Sequence, residues 1–297
     1  MGSSIKHHFI PRFLLKQWHN KNGKLIRYYK NERGEIIGDN DLKTASSVGY
    51  STNMYTFNAN AFPSIKNIQS FETNFLKALD NKAALIHSKI LNEKSFVSLS
   101  AHEKIEWANF IHSLIVRIPK AVKTLKEEIL KIGSEYLTSL LDIKGTNEFS
   151  IKEIGDAFLT GPMFKNESLG LLKRIIKDKN WSDNFCFKMN WKLFVLPEEI
   201  SFFITSDNPI LIKENSNFSL IITSLNPRLL FISYSKSLEL EDELIKSIII
   251  KYNLWVIQQS DCFVYSQSIL NNDFYFKFKE AMMNSLRPLT DQELKNF

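Results

Sequence analysis

Two histidines, an arginine and a lysine fall close together in His7-His8-Phe9-Ile10-Pro11-Arg12-Phe13-Leu14-Leu15-Lys16-Gln17-Trp18. Adjacent residues of a strand point to opposite faces, so His7 and His8 cannot both serve one site. A neutral imidazole here is a candidate general base or metal ligand, and its neighbour is free to bridge backbone groups. Arg12 and Lys16, four apart, share one face of a helical turn. The chain uses 31 Lys and only 7 Arg, so each arginine is informative. A guanidinium offers a planar fork for carboxylate or phosphate that an ammonium cannot mimic. Arg12 and Arg117 both sit in tight contexts close to a proline.

A second cluster, Thr205-Ser206-Asp207-Asn208-Pro209, follows the apolar run Phe202-Phe203-Ile204. Polar residues at a strand end are where sites tend to be built. Asp207 is a candidate general base or metal ligand. Ser206 is a nucleophile only if a base lies beside it. The competing reading is turn chemistry, because Pro209 keeps Asn208 out of the helical region. There is no Gly-x-Gly-x-x-Gly, Walker loop, Gly-x-Ser-x-Gly or His-Glu-x-x-His, and 10 glycines make a backbone phosphate cradle a poor expectation. His19, His87, His102 and His112 are isolated and read as structural.

The elements that must position these residues change character along the chain. A turn at Asn20–Gly23 leads into a strand over Lys24–Tyr29, with Gly34–Gly38 as its hairpin partner. Residues 39 to 67 read as irregular, with Tyr50 and Tyr55 as anchors. Apolar spacing from Phe71 to Ile90 predicts a helix with Glu72 in its first turn, where a carboxylate suits the dipole. Ser100 and Glu103 form a capping box ahead of a helix carrying Trp107, Phe110, Ile111, Leu114 and Ile118. Pro119 kinks or breaks that helix, and the spacing resumes from Val122 to Leu140. A third helical region covers roughly 151 to 179, with Gly161-Pro162 as a break. From Asn190 onward the chain reads as short strands, Trp191–Leu196, Phe202–Thr205, Ile210–Ile212, Leu220–Thr223 and Leu229–Tyr234. A helix over Glu239–Ile257, a strand at Cys262–Tyr265 and a helical tail follow. The expectation is a single α+β domain over residues 1–297. Its β-rich ends form a mixed or antiparallel sheet, with a long helical insertion over roughly 70–180.

Composition narrows the class. The chain of 297 residues is 44% hydrophobic and 24% charged, which is the ordinary globular range. Two cysteines, Cys186 and Cys262, make no disulfide framework. They point to a reducing, cytoplasmic setting with both thiols buried. No run is long and apolar enough for a membrane helix, and Arg12 and Lys16 interrupt any signal-peptide core. The net charge is +6, and the segment Lys6–Arg33 holds eight Lys and Arg against Glu32 alone. Trp18, Tyr28 and Tyr29 lie among those cations. Such interleaving is the pattern of a nucleic-acid or other phosphate-bearing partner, or else of a solvated basic surface.

The chain resembles the bacterial and phage family filed as domain of unknown function 4238. The likeness rests on His8-Phe9-Ile10-Pro11-Arg12 with Leu15-Lys16 and Trp18. Glu72, Arg117-Ile118-Pro119 and Thr205-Ser206-Asp207-Asn208-Pro209 support it in order and rough spacing. Asp80 stands where a second helical Glu is expected, and Trp18 where Phe is commoner. The resemblance supplies no activity. It implies one constellation of His8, Glu72, Arg117 and Asp207 around a cleft, with Arg12 and Lys16 at its rim and Ser206 and Asn208 beside the substrate. Two functions follow. One is a hydrolase or nuclease-like effector on a phosphate-bearing substrate, in phage defence or as a toxin. In it His8 and Asp207 are the candidate ligands of a divalent metal. The other is a non-catalytic module binding nucleic acid or a protein, its polar motifs a buried network.

Overall fold

The computed structural model describes residues 5–31, 36–57, 69–144, 162–196, 202–214, 219–238 and 240–270. The opening stretch becomes a short strand β1 (Lys6–His8), paired antiparallel with β4 (Tyr50–Thr52), so that His8 faces Tyr50. Pro11 turns the chain into α1 (Arg12–Leu15), which tightens into a 3₁₀ turn over Lys16–Trp18. The Gly49 carbonyl accepts both the Phe9 and Ile10 amides, and the Trp18 indole donates to the Phe203 carbonyl at 2.9 Å. These bonds satisfy groups that would otherwise be buried unpaired. Phe9, Ile10, Leu14, Leu15 and Trp18 are buried in the same apolar cluster as Trp107, Phe110 and Phe231.

Strands β2 (Leu25–Lys30) and β3 (Ile36–Lys43) form an antiparallel hairpin. Far later in the chain, β6 (Thr205–Ser206) and β10 (Phe263–Ser266) complete this sheet in the order β3-β2-β10-β6. A second antiparallel sheet is made of β5 (Met189–Val195), β7 (Leu211–Glu214), β8 (Ser219–Asn226) and β9 (Leu229–Ser235), in the order β5-β9-β8-β7. Helices fill the middle. Helix α2 opens with a wide π turn over Phe71–Leu76 and continues as Lys77–Glu93. Helix α3 (Ala101–Val116) starts at the complete Ser100–Glu103 capping box, and α4 (Pro119–Lys144) begins at a proline. A proline is favoured at that first position, because the missing N–H has no partner there. Then come α5 (Pro162–Ile176), α6 (Lys179–Asp183) and, behind the second sheet, α7 (Asp242–Gln259). The architecture is α+β, with antiparallel sheets built from both ends and helices between.

Several local expectations change. The stretch read as irregular after residue 38 carries the rest of β3 and the whole of β4. Strand β3 is charged because Asp41 bonds both Arg27 at 2.6 Å and Lys43 at 2.7 Å, which hides it from an apolar pattern. Strand β6 is shorter than the expected Phe202–Thr205 run. Cys262 is exposed and Cys186 half-buried, not sealed as expected. The helical expectations over 151–161 and in the tail beyond 270 lie outside the described residues. No helix among the described residues is long and apolar enough to cross a membrane.

The basic, aromatic opening segment is also less available to a polymer than its composition suggests. Trp18 and Tyr28 are buried, and only Tyr29 of the three aromatics is exposed. Lys30 donates to the Gln258 and Ser260 carbonyls, both at 2.7 Å, and Lys6 lies 4.4 Å from the Tyr50 ring centre. Arg12 and Lys16 remain exposed.

Candidate functional site

The polar centre of the molecule is Arg117, at the C-terminal cap of α3. Its side chain is fully buried. A buried guanidinium needs compensation for its lost hydration. Asp80 of α2 supplies part of it, accepting from Nη1 at 2.8 Å. The residue is further fixed through its backbone, whose carbonyl accepts the Tyr55 hydroxyl and whose amide donates to the Ser113 carbonyl at 3.0 Å. Nε and Nη2 are buried without a hydrogen-bond partner among the described residues. These two atoms form the side-on edge of the guanidinium, whose parallel N–H bonds match two oxygens of one oxyanion. The aspartate thus orients the fork and leaves its anion-binding edge free.

Glu72 shares this environment. The half-buried carboxyl keeps Oε2 shielded from solvent and without a partner among the described residues. Burial pushes its pKa from the ordinary 4.5 to about 7; Arg117 opposes the rise and Asp80 adds to it. Local geometry brings the two carboxyls together. Eight residues do not close whole turns of a regular α-helix at 3.6 residues per turn. The π turn at Phe71–Leu76 is wider, with i→i+5 bonding, so one π turn plus one α turn brings Glu72 and Asp80 onto the same face.

His8 provides the opposite chemistry. Its imidazole is held well below its ordinary range, at about 4, first by burial and then by the positive charge of Arg12. A hydrogen bond to the Ser46 backbone acts the other way, as donation to a carbonyl does, and Arg117 adds a further lowering influence. Nε2 is buried and has no partner among the described residues, so the Ser46 bond falls to Nδ1. That bond fixes the tautomer and leaves a lone pair on Nε2. His7, on the other face of β1, is fully buried. Its Nδ1 accepts the Tyr55 amide at 2.7 Å and its ring stacks on Tyr55. Tyr55 therefore ties the inner histidine to the Arg117 carbonyl. Arg12, exposed at the start of α1, lies close enough to His8 to influence it, and Lys16 follows one turn further along.

Asp207 is built differently. Oδ1 accepts the Asp261 amide at 2.9 Å, while Oδ2 accepts the Cys262 amide at 2.7 Å and the Phe263 amide at 2.9 Å. Burial pushes its carboxyl up to about 6 against those three amides. The Ser206 hydroxyl donates to the Asn208 carbonyl at 2.8 Å and accepts the Asn208 amide at 3.2 Å, and the Asn208 side chain donates to the Gln259 carbonyl at 3.3 Å. These three side chains lock the turn after β6 to the α7–β10 connection. No hydrogen bond or ion pair among the described residues joins Asp207 to His8, Glu72 or Arg117. The segments meet only through structure. Tyr265, next to the Asp207-bound turn, bonds the Gly49 amide, and the Gly49 carbonyl holds Phe9 and Ile10.

The structure therefore brings His8, Arg12, Glu72 and Arg117 into one electrostatic cluster and leaves Ser206, Asp207 and Asn208 in another. Among the described residues, no group of three or more His, Cys, Asp or Glu side chains is disposed to hold a metal ion. Two members of the first cluster were not placed in it by sequence reasoning. Asp80 carried a signal only through the resemblance, which expects a second helical carboxylate there. Tyr55 carried none beyond being an aromatic anchor.

The model of the family described as a protein of unknown function, DUF4238, matches residues 6–269. The chain belongs to that family. No curated protein and no solved structure matches it. The matched span contains both polar clusters and every described strand and helix.

Proposed function

We propose that this DUF4238 chain is a hydrolase of the nuclease-like class, acting on a phosphodiester through His8, Glu72 and Arg117. One observation carries the reading. The buried hydrogen-bonding atoms Arg117 Nε and Nη2, Glu72 Oε2 and His8 Nε2 have no partner among the described residues, and both His8 and Glu72 feel the Arg117 charge. Buried polar atoms are normally satisfied, so such a group is an incomplete network that a ligand completes. A phosphodiester has two non-bridging oxygens and one negative charge, which suit one side-on fork.

In this reading His8 Nε2 takes a proton from the attacking water as the new O–P bond forms. Glu72 gives its proton to the leaving oxygen as the old P–O bond breaks. Arg117 holds the charge that builds on the two non-bridging oxygens, and Asp80 keeps its fork oriented. A carboxyl near 7 and an imidazole near 4 place an acid and a neutral base within the influence of one guanidinium at neutral pH. Arg12 and Lys16 form a cationic rim for the rest of a charged substrate. A divalent metal is not needed for any of these proton transfers, and a role in phage defence or as a toxin follows if the substrate is cellular nucleic acid. The module reading holds a specific foothold at residues 206–208, where the Ser206, Asp207 and Asn208 side chains are all closed onto backbone groups.

The test is hydrolysis of bis(p-nitrophenyl) phosphate, RNA and single- and double-stranded DNA, each with EDTA and with magnesium or manganese. Cleavage by the wild type that is lost in His8→Ala and Glu72→Gln, both still folded, supports the reading. Inactivity on every substrate in every condition, or unaltered activity in both variants, refutes it.

A further inference from the structure

The outer edge of the second sheet carries a feature separate from the Arg117 cluster. Strand β5 pairs with β9 on one side and with no described strand on the other. A depression of about 430 Å³ runs beside it, lined by Phe96, Trp191 and Leu193 together with Lys94, Lys104 and Lys192. No carboxylate lines it. The three ammonium groups make no ion pair or side-chain hydrogen bond among the described residues, whereas Lys82 and Lys89 nearby on α2 are paired with Glu106 and Glu103. Exposed apolar side chains bracket the edge, with Phe187 just before β5, Val195 at its end and Val97 on the facing loop.

An open edge presents a row of unpaired backbone N–H and C=O groups, which a further strand satisfies. Lysines along such an edge repel neutral and basic strands from pairing and leave an acidic one favoured. The three unpaired lysines without an acid set the charge of the occupant. The alternating donors and acceptors of the strand set its chemistry as polypeptide, because a phosphate backbone has no donors to return. From this we infer that the β5 edge docks an acidic, extended segment of a partner protein, which adds as a fifth strand to the sheet.

Fluorescence anisotropy tests this with three labelled probes: a peptide of alternating glutamate and valine, its lysine–valine counterpart, and an oligothymidine. The acidic peptide is expected to bind saturably and to slow hydrogen exchange at the β5 amides. The triple variant Lys94→Glu/Lys104→Glu/Lys192→Glu should weaken that binding about tenfold or more, from three surface pairs of up to about 1 kcal/mol each. The neutral Lys→Gln triple variant, milder on folding, should fall between the two. Tighter binding of the oligonucleotide, equal binding of the basic peptide, or peptide binding without β5 protection overturns the inference.

Discussion

Replacing Glu72 by Gln isolates the proton that the proposed chemistry needs. In the folded chain the Glu72 carboxyl titrates at about 7, against 4.5 when ordinary and exposed. Between those pH values the folded state keeps a proton that the unfolded state has lost. Stability therefore falls as pH rises through that window, and the whole penalty is present above 7. The difference corresponds to about 3 kcal/mol at most. Glutamine has nearly the same shape and no charge, so Glu72→Gln removes the penalty. The variant should match the wild type near pH 4.5 and exceed it at pH 8 by up to about 3 kcal/mol. Urea unfolding at a series of pH values reads this directly, since contributions from His8, Asp207 and other groups cancel in the comparison. A stability difference that does not change with pH, or a variant less stable at pH 8, refutes the buried-acid assignment. The same variant should be inactive, which pairs a gain in stability with a loss of function at one residue.

The remaining predictions concern the scaffold. Gly49 has a φ of +64°, and an added Cβ would stand 2.9 Å from a Leu15 methyl and 3.0 Å from the Ile10 Cβ. Gly49→Ala should cost about 1–3 kcal/mol in denaturant unfolding and loosen the segment carrying His8. Asp207→Ala removes the acceptor of three backbone amides and should cost about 3 kcal/mol or more, while phosphodiester affinity in the folded fraction stays unchanged.

Much of the architecture was legible because it rests on local chemistry. The Ser100–Glu103 box and Pro119 mark helix boundaries by which backbone donors have partners, and that is written in neighbouring residues. Strand β3 was not legible past Gly38, because its Asp41 is neutralised by Arg27 across the hairpin as well as by Lys43 in the strand, which leaves no apolar alternation to read. The candidate site divides the same way. His8 and Arg12 share one motif and do lie together, and Arg117 joins them through the packing of α3 against the opening segment. Asp207 was grouped with them through the family resemblance and its residue type. Residue type cannot show that both its oxygens are filled by the amides of residues 261–263, more than fifty positions away. The basic run was legible as charge but not as surface, since burial of Trp18 and Tyr28 is a tertiary fact.

The free fork of Arg117 is the central claim, and binding of dimethyl phosphate tests it most directly. The diester cannot be cleaved readily, so calorimetry or an NMR titration of the His8 imidazole reads binding alone. Arg117→Lys keeps the charge and the pairing with Asp80 but has no side-on edge. Saturable binding by the wild type, weakened at least about tenfold in a folded Arg117→Lys variant, is the predicted result. Equal affinity in the two proteins, or no binding by the wild type, contradicts the account.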